Sequence, residues 1–425
     1  MRKTSRWKNL SVELWVHILS HLYTDLTPVG PEVEWGPLVV ERRARQLNNM
    51  QTLRLVCRSF NTALSDAQFS RCLFLPEKFS NKSIPSLLQW LLRYRTAVQL
   101  FAVASGTPTM EAALAALTGH ASQLLFTYVA NISAGAVHIL SCHSGLQTIE
   151  IESTADETNL DLTPLAALPC LSNLGLKTGQ FSCEEALLHL TILRLSDAEM
   201  LFAKACFSGS KLLELNLCGS LLYGCDQGLS GCHNLTDLRL KQCWFGANRA
   251  EDKLDLLPFK VAHVPASISS LTQLTSLDIT LCGQSLLAMQ FSWLASLTSL
   301  QELVFHGAGA NVKLPSDLTE LTRLETLWLT MGDEPADSMT YMDFQVNWRE
   351  MRALTTLSVD AGMYAFDSKL LQVVECGTLN EVFVTGIRPY SAESAKFFAV
   401  LISRLATKRP DVLCFLDHVD VSEID

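Results

Sequence analysis

The residues best suited to bind a metal are Cys218, Cys225 and the pair Cys232-His233. Zinc sites need ligands in tight pairs, such as two cysteines separated by two to four residues, so that four donors converge on one ion. The intervals here, with six residues between successive cysteines, fit no such pattern. We therefore assign no metal ligands and expect no cofactor. The acid pairs Asp156-Glu157 and Glu184-Glu185 fall in predicted loops or helix starts, where carboxylates are solvated or cap a helix. There is no Gly-rich phosphate loop, no H-E-x-x-H and no G-x-S-x-G. Nothing assembles a nucleophile with its base, and the sequence predicts no enzyme. Other residues are suited to recognition: Arg194, Arg239 and Lys241 could hold a carboxylate or phosphate. His306, Trp328 and Phe383 could anchor a partner, because interfaces draw their energy from aromatic and arginine side chains.

These residues share a place in a recurring spelling, L-x-x-L-x-L. It reads Leu146-x-x-Ile149-x-Ile151, Leu171-x-x-Leu174-x-Leu176, Leu190-x-x-Leu193-x-Leu195 and Leu212-x-x-Leu215-x-Leu217. It continues at Leu235-x-x-Leu238-x-Leu240, Leu274-x-x-Leu277-x-Ile279 and Leu300-x-x-Leu303-x-Phe305. Leu324-x-x-Leu327-x-Leu329, Leu354-x-x-Leu357-x-Val359 and Leu379-x-x-Val382-x-Val384 complete the series. A period of this length predicts a solenoid, whose units cannot bury an apolar face alone and must stack. The alternating apolar residues point inward from a short strand, and the polar residues between them line the opposite, concave face. Arg194, Arg239, Lys241, His306, Trp328 and Phe383 all occupy such outward positions. Three residues past the last apolar residue of the spelling comes a tight turn that needs a small or hydrogen-bonding side chain, as at Gly179, Ser220, Cys243, Cys282, Gly332 and Gly362.

The repeats resemble the leucine-rich-repeat family over roughly residues 146–386. That resemblance implies an α/β solenoid, with a curved parallel sheet on one side and helices and turns on the convex side. The forms at 264–279 and 314–329 are similar to the plant-style subtype, and the cysteine-bearing unit near 235 to the cysteine-containing one. Residues 67–145 read as degenerate N-terminal repeats, with strand units Phe69-x-x-Cys72-x-Phe74 and Val98-x-x-Phe101-x-Val103. Residues 387–425 read as a C-terminal helical cap, built on an apolar helix over 392–408. Two repeats are overlong, at 244–264 and 331–348, and loops of that length are often functional.

Residues 8–66 lie outside the repeats and read as a helical domain with an inserted loop at about 24–48. The stretch from Leu10 to Leu22 and the segment Leu53-Arg-Leu-Val56-Cys57-Arg-Ser-Phe60 resemble the two halves of an F-box. Ser11 stands where the family usually has proline, Phe60 where it usually has tryptophan, and the insertion lengthens the gap between the halves. The resemblance implies a substrate-recognition subunit of a Skp-cullin-F-box ubiquitin ligase. Leu10, Leu14, Ile18, Leu22, Val56, Cys57 and Phe60 would contact the Skp-type adaptor, and the repeats would hold a target protein. The alternatives are a repeat scaffold or inhibitor with no ubiquitin connection, and a small-molecule receptor of the hormone-binding F-box type.

Composition sets the remaining bounds. With 43 acidic against 33 basic residues, the formal net charge is −10, and the general basic footprint of a nucleic-acid binder is missing. No run reaches the length of a membrane span and no secretory signal is visible. The thirteen cysteines contain no C-x-x-C pair and are odd in number, which suits thiols kept reduced in the cytoplasm or nucleus.

Overall fold

The computed structural model describes residues 72–75, 98–102, 124–130, 132–152, 159–185, 187–202, 209–223, 229–241, 243–246, 266–281, 291–307, 312–314, 316–331, 341–344, 346–360, 365–366, 368–385 and 392–416, together with Glu111, Ala112 and Ala115. The F-box-like segment, with Leu10, Leu14, Ile18, Leu22, Val56, Cys57 and Phe60, lies outside the described residues. The chain divides into two units, residues 1–180 and 181–425.

In the first unit, β1 (Cys72–Leu75), β2 (Val98–Ala102), β3 (Leu124–Ala130), β4 (Thr148–Glu152) and the first part of β6 (Asn173–Cys183) pair in parallel, in chain order. Between β4 and β6 lie β5 (Leu160–Asp161) and a 3-10 turn over Thr163–Ala167. Helix α1 (Ala134–Leu140) precedes β4 and buries Ala136, Val137 and Leu140. Its N-terminus is capped by Ser133, whose Oγ accepts from the Ala136 amide at 3.1 Å and donates to the Glu111 carboxylate. The register corrects one expectation. Ile149 aligns with Thr127 and Leu100, and so with Leu73, while Phe74 and Phe101 fall in the row of Glu150. The two degenerate units are therefore offset by one residue from the spelling read in the sequence. The segments Cys-Leu-Phe-Leu and Val-Gln-Leu-Phe-Ala-Val carry apolar residues in both phases of a two-residue period, with Gln99 the single polar position, so hydrophobicity chooses the phase only weakly.

In the second unit the strands β7 (Ile192–Phe202), β8 (Glu214–Cys218), β10 (Asp237–Lys241), β12 (Ser276–Leu281), β13 (Glu302–Gly307), β15 (Thr326–Met331), β17 (Thr356–Asp360) and β19 (Glu381–Thr385) form one parallel ladder. Every described pair in it is in phase with the sequence repeat: Leu215, Leu238, Leu277, Leu303, Leu327, Leu357 and Val382 make a single row. Short second strands run beside the ladder. β9 (Leu221–Tyr223) pairs with the far end of β7 and with β11 (Trp244–Gly246). β14 (Val312–Leu314), β16 (Tyr341–Phe344) and β18 (Ala365–Phe366) form a separate three-stranded sheet. The overlong repeats thus spend part of their extra length on strands β11 and β16.

The packing repeats as well. Within each unit an apolar amide donates to the carbonyl three residues earlier, as in Leu271 to Ile268 and Leu274 to Leu271, or Leu321 to Leu318 and Leu324 to Leu321. These 3-10 turns bring a second set of leucines beneath the strand: Ile268, Leu271, Leu274, Leu277 and Ile279 are all fully buried. Neighbouring units are joined by a backbone bond of almost constant length, from Thr275 to Thr236, Gln301 to Thr275, Glu325 to Gln301, Thr355 to Glu325 and Asn380 to Thr355, at 2.8–2.9 Å. The hydroxyls of Thr236, Thr275 and Thr355 donate to the carbonyls of Leu213, Thr236 and Glu325 at 3.0–3.1 Å. At the turns, Ser220 Oγ donates to the Cys218 carbonyl at 2.7 Å, and the Cys243 thiol lies 3.1 Å from the Leu217 carbonyl. Gly179 adopts a positive φ of 97°, a conformation that side chains with a Cβ disfavour.

The C-terminal region is more than a helical cap. Helix α2 (Ala392–Lys408) buries Phe398, Leu401 and Leu405 and packs against the 3-10 turn over Ser368–Glu375. The chain then forms β20 (Leu413–Leu416), which pairs in parallel with β19 and adds a further strand to the ladder. The same inter-unit bond continues here, from the Leu413 amide to the Asn380 carbonyl at 2.8 Å. Arg409 clamps the junction: it donates to the carbonyls of Cys376 and Leu379 and pairs with Asp411 at 2.8 Å.

Truncating a leucine of the central row should cost far more than truncating an exposed turn residue. Leu277→Ala should destabilise by about 2–5 kcal/mol, and Gln273→Ala by no more than about 0.5 kcal/mol. The urea midpoints of the two variants measure the difference.

Candidate functional site

The register gathers residues far apart in sequence into rows on the open face of the second unit. One row runs Arg194, Asn216, Arg239, Asp278, Val304, Trp328, Ser358, Phe383, Phe415 from β7 to β20. The row beside it runs Ile192, Glu214, Asp237, Ser276, Glu302, Thr326, Thr356, Glu381, Leu413. His306 lies in a third row between Thr280 and Thr330, and its side chain falls outside what is described.

The N-terminal half of this face is charged and internally balanced. Arg194 reaches Glu214 Oε1 with both Nε and Nη2 at 3.2 Å. Arg239 forms a two-point pair with Asp237 at 3.1 and 2.9 Å. That hydrogen bond, ahead of the surrounding carboxylate charge, holds the Arg239 guanidinium above its ordinary pKa. Lys241 Nζ lies 3.3 Å from Asp278 Oδ2. The basic patch expected from the sequence is thus three bases each matched to an acid. An incoming anion would have to displace a carboxylate already in place, so this half supplies fixed polarity more readily than a free cationic pocket.

The C-terminal half is aromatic. Trp328 and Phe383 stack with ring centroids 6.3 Å apart and planes 12° from parallel. Phe383 and Phe415 stack at 4.7 Å and 11°. Trp328 is 36% exposed, Phe415 44% and the adjoining Leu413 57%. The second separation equals the spacing of neighbouring strands, whereas Trp328 and Phe383 stand two strands apart and lean together over Ser358. The sequence identified Trp328 and Phe383 as outward aromatics. It missed Phe415, because Val412-Leu-Cys-Phe-Leu416 lacks the leading leucine of the repeat and follows a long helix.

The tempting cysteine cluster disperses. Cys232 is fully buried, and burial pushes its thiol up to about 12, while His233 beside it is exposed. Cys218 points to the open face in the row of Lys241, and Cys225 is outside the described residues.

Neither a protein-family model nor a curated protein sequence matches the chain. Among solved structures it is similar to an internalin of Listeria monocytogenes, at 16% identity over 80% of this chain and 94% of that one, with a TM-score of 0.38. A leucine-rich-repeat protein of Leptospira interrogans is similar at 14% identity over 83% and 97%, with a TM-score of 0.39. The leucine-rich-repeat ectodomain of a plant membrane receptor kinase from Arabidopsis thaliana is similar at 17% identity over 75% and 38%, with a TM-score of 0.39. What identifies the leucine-rich-repeat solenoid here is the in-phase parallel register of the repeats themselves.

If the aromatic rings form a continuous stack, they should couple energetically. A double-mutant cycle of Phe383→Leu and Phe415→Leu, read by thermal or urea unfolding, should give an interaction of about 0.5–1.5 kcal/mol. The Lys241→Ala and Asp278→Ala cycle on the charged half should give no more than about 1 kcal/mol, weakened further by salt.

Proposed function

We propose that the chain is a protein-interaction module, without a catalytic step of its own, that holds a protein partner on the open face of its repeat sheet. The carrying observation is the exposed aromatic row Trp328, Phe383, Phe415, bordered by Leu413, on a face whose other residues are mostly polar. Large rings on a wet surface cost solubility and contribute most when a partner covers them. The balanced ion pairs toward β7 suit the polar part of such an interface, where charges give register and selectivity more than affinity. A cytoplasmic or nuclear setting accords with the cysteine usage.

A second reading, recruitment of that partner to a ubiquitin ligase, rests on the F-box-like spelling at 10–22 and 53–60. Its apolar stripe Leu10, Leu14, Ile18, Leu22 has the spacing of a helix that docks in an adaptor groove. Co-purification with a Skp-type adaptor, lost in Leu14→Asp/Ile18→Asp with the repeats still folded, is the expected result. An adaptor that ignores the intact chain would leave interaction without ubiquitylation.

The interaction reading is tested by photo-crosslinking in cells. A crosslinking amino acid at Thr326, on the open face, should capture a discrete protein, and the Trp328→Ser variant should lose it. The same probe at Glu320, on the 3-10 turn side, should not capture that protein. Capture from Glu320 alone would move the binding surface to the other side of the sheet.

A further inference from the structure

Trp328 and Phe383 are close enough to enclose something thin, and the residue between them is chemically unsatisfied. Ser358 sits midway in their row, on β17 between β15 and β19. It is fully buried, and its Oγ has no hydrogen-bond partner among the described residues. A buried hydroxyl without a partner costs free energy, so such groups need an explanation. On a face where alternate strand residues point to solvent, Ser358 is fully buried between the strands that carry the two rings.

Their separation has its own meaning. Aromatic planes in direct face-to-face contact lie about 3.5–4 Å apart, so a planar group held between two rings needs about 7 Å. The observed centroid distance is 6.3 Å with the planes only 12° from parallel. That distance is the largest value the gap between the planes can take, so a planar group would enter by parting the rings to about 7 Å, in contact with both. The base of that slot is an oxygen able to accept a hydrogen bond.

Charge selects among planar groups. Strands β13, β15, β17, β19 and β20 carry Glu302, Asp360 and Glu381 and no lysine or arginine. Glu381 is two residues before Phe383 on the same face, and Glu302 is on the strand beside Trp328. By contrast, the cations of the face lie toward β7 and are matched to acids. The visiting group is therefore planar, cationic and a donor in its own plane. Guanidinium has these properties: it stacks on aromatic faces, is weakly hydrated and keeps its charge at any physiological pH. A lysine ammonium is compact and strongly hydrated, and a neutral ring brings no charge to the carboxylates.

We propose that Trp328, Ser358 and Phe383 form a receptor for an arginine side chain of the protein partner, with the guanidinium between the rings and one N–H donated to Ser358 Oγ. This rests on the interaction reading above and specifies the partner as a basic segment bearing an exposed arginine. Glu381, on the strand of Phe383, adds attraction at the rim of the slot, while Glu302 accepts from Ser276 Oγ at 3.2 Å toward β12.

The test uses the full-length chain with three probes: acetyl-Gly-Arg-Gly-amide, its citrulline counterpart, which is planar but neutral, and its lysine counterpart. The readout is the NMR signal of the Trp328 indole N–H, assigned by its loss in Trp328→Phe. The arginine probe should shift that signal saturably, with citrulline and lysine about tenfold weaker, equivalent to about 1.4 kcal/mol. Ser358→Ala, which removes an unpaired hydroxyl and so should leave stability unchanged or raised, should weaken arginine binding about threefold. Phe383→Leu should abolish the shift. The proposal is overturned if citrulline binds as well as arginine, if Ser358→Ala binds arginine like the unmodified chain, or if the signal does not move. Crosslinking from Thr326 separates the two levels. Capture of a partner there with no arginine effect rejects the receptor and keeps the interaction module, and silence in both rejects both.

Discussion

The structure depends on parallel strand pairing held in phase with the sequence repeat. A strand of five residues with leucines on one face cannot bury them unless another strand lies beside it at the same height. The in-phase register supplies that neighbour, and the 3-10 turns supply the floor, so Leu238, Leu277, Leu303, Leu327 and Leu357 are all excluded from water. One inter-unit amide bond near 2.8 Å recurs from Thr275 to Leu413 and fixes the height of each strand. A slip of one residue would turn every leucine outward, so the register is strongly specified wherever the inner face is apolar.

The same constraint makes the open face. The core fixes the inward residues, so the outward ones are free to vary, and the register alone decides which of them meet. Arg194 finds Glu214, Lys241 finds Asp278, and Trp328 finds Phe383 across an intervening strand. Chemistry scattered over more than two hundred residues of sequence becomes one surface with a charged half and an aromatic half. β20 matters in this respect: without it Phe383 would have no ring on its outer side.

How much of this could be read in advance depended on whether the signal was local. The strands and their inward faces were legible because leucine spacing is a property of one segment. For the same reason Trp328 and Phe383 were identifiable as outward aromatics. Properties that depend on the neighbouring strand were not legible. The pairings of Arg194 with Glu214 and of Lys241 with Asp278 need the cross-strand partner, and the burial of Ser358 needs the strands on either side of it. The phase of 72–75 and 98–102 was ambiguous because both faces carry apolar residues, and it was settled only by alignment with Ile149. Phe415 escaped because its strand lacks the repeat spelling and is placed by α2 and the Arg409 clamp.

The open face exists only if the strands pair in this register, and disulfide trapping tests that most directly. Thr326 and Thr356 are register partners on the open face, so cysteines placed there should lie within the range that a disulfide spans. Under mild oxidation, with bonds mapped by mass spectrometry, Thr326→Cys/Thr356→Cys should close readily and Thr326→Cys/Ser358→Cys should not. Closure of the second pair in preference to the first would mean a ladder shifted by two residues. Trp328, Ser358 and Phe383 would then not share a row, and the site built on them would fall.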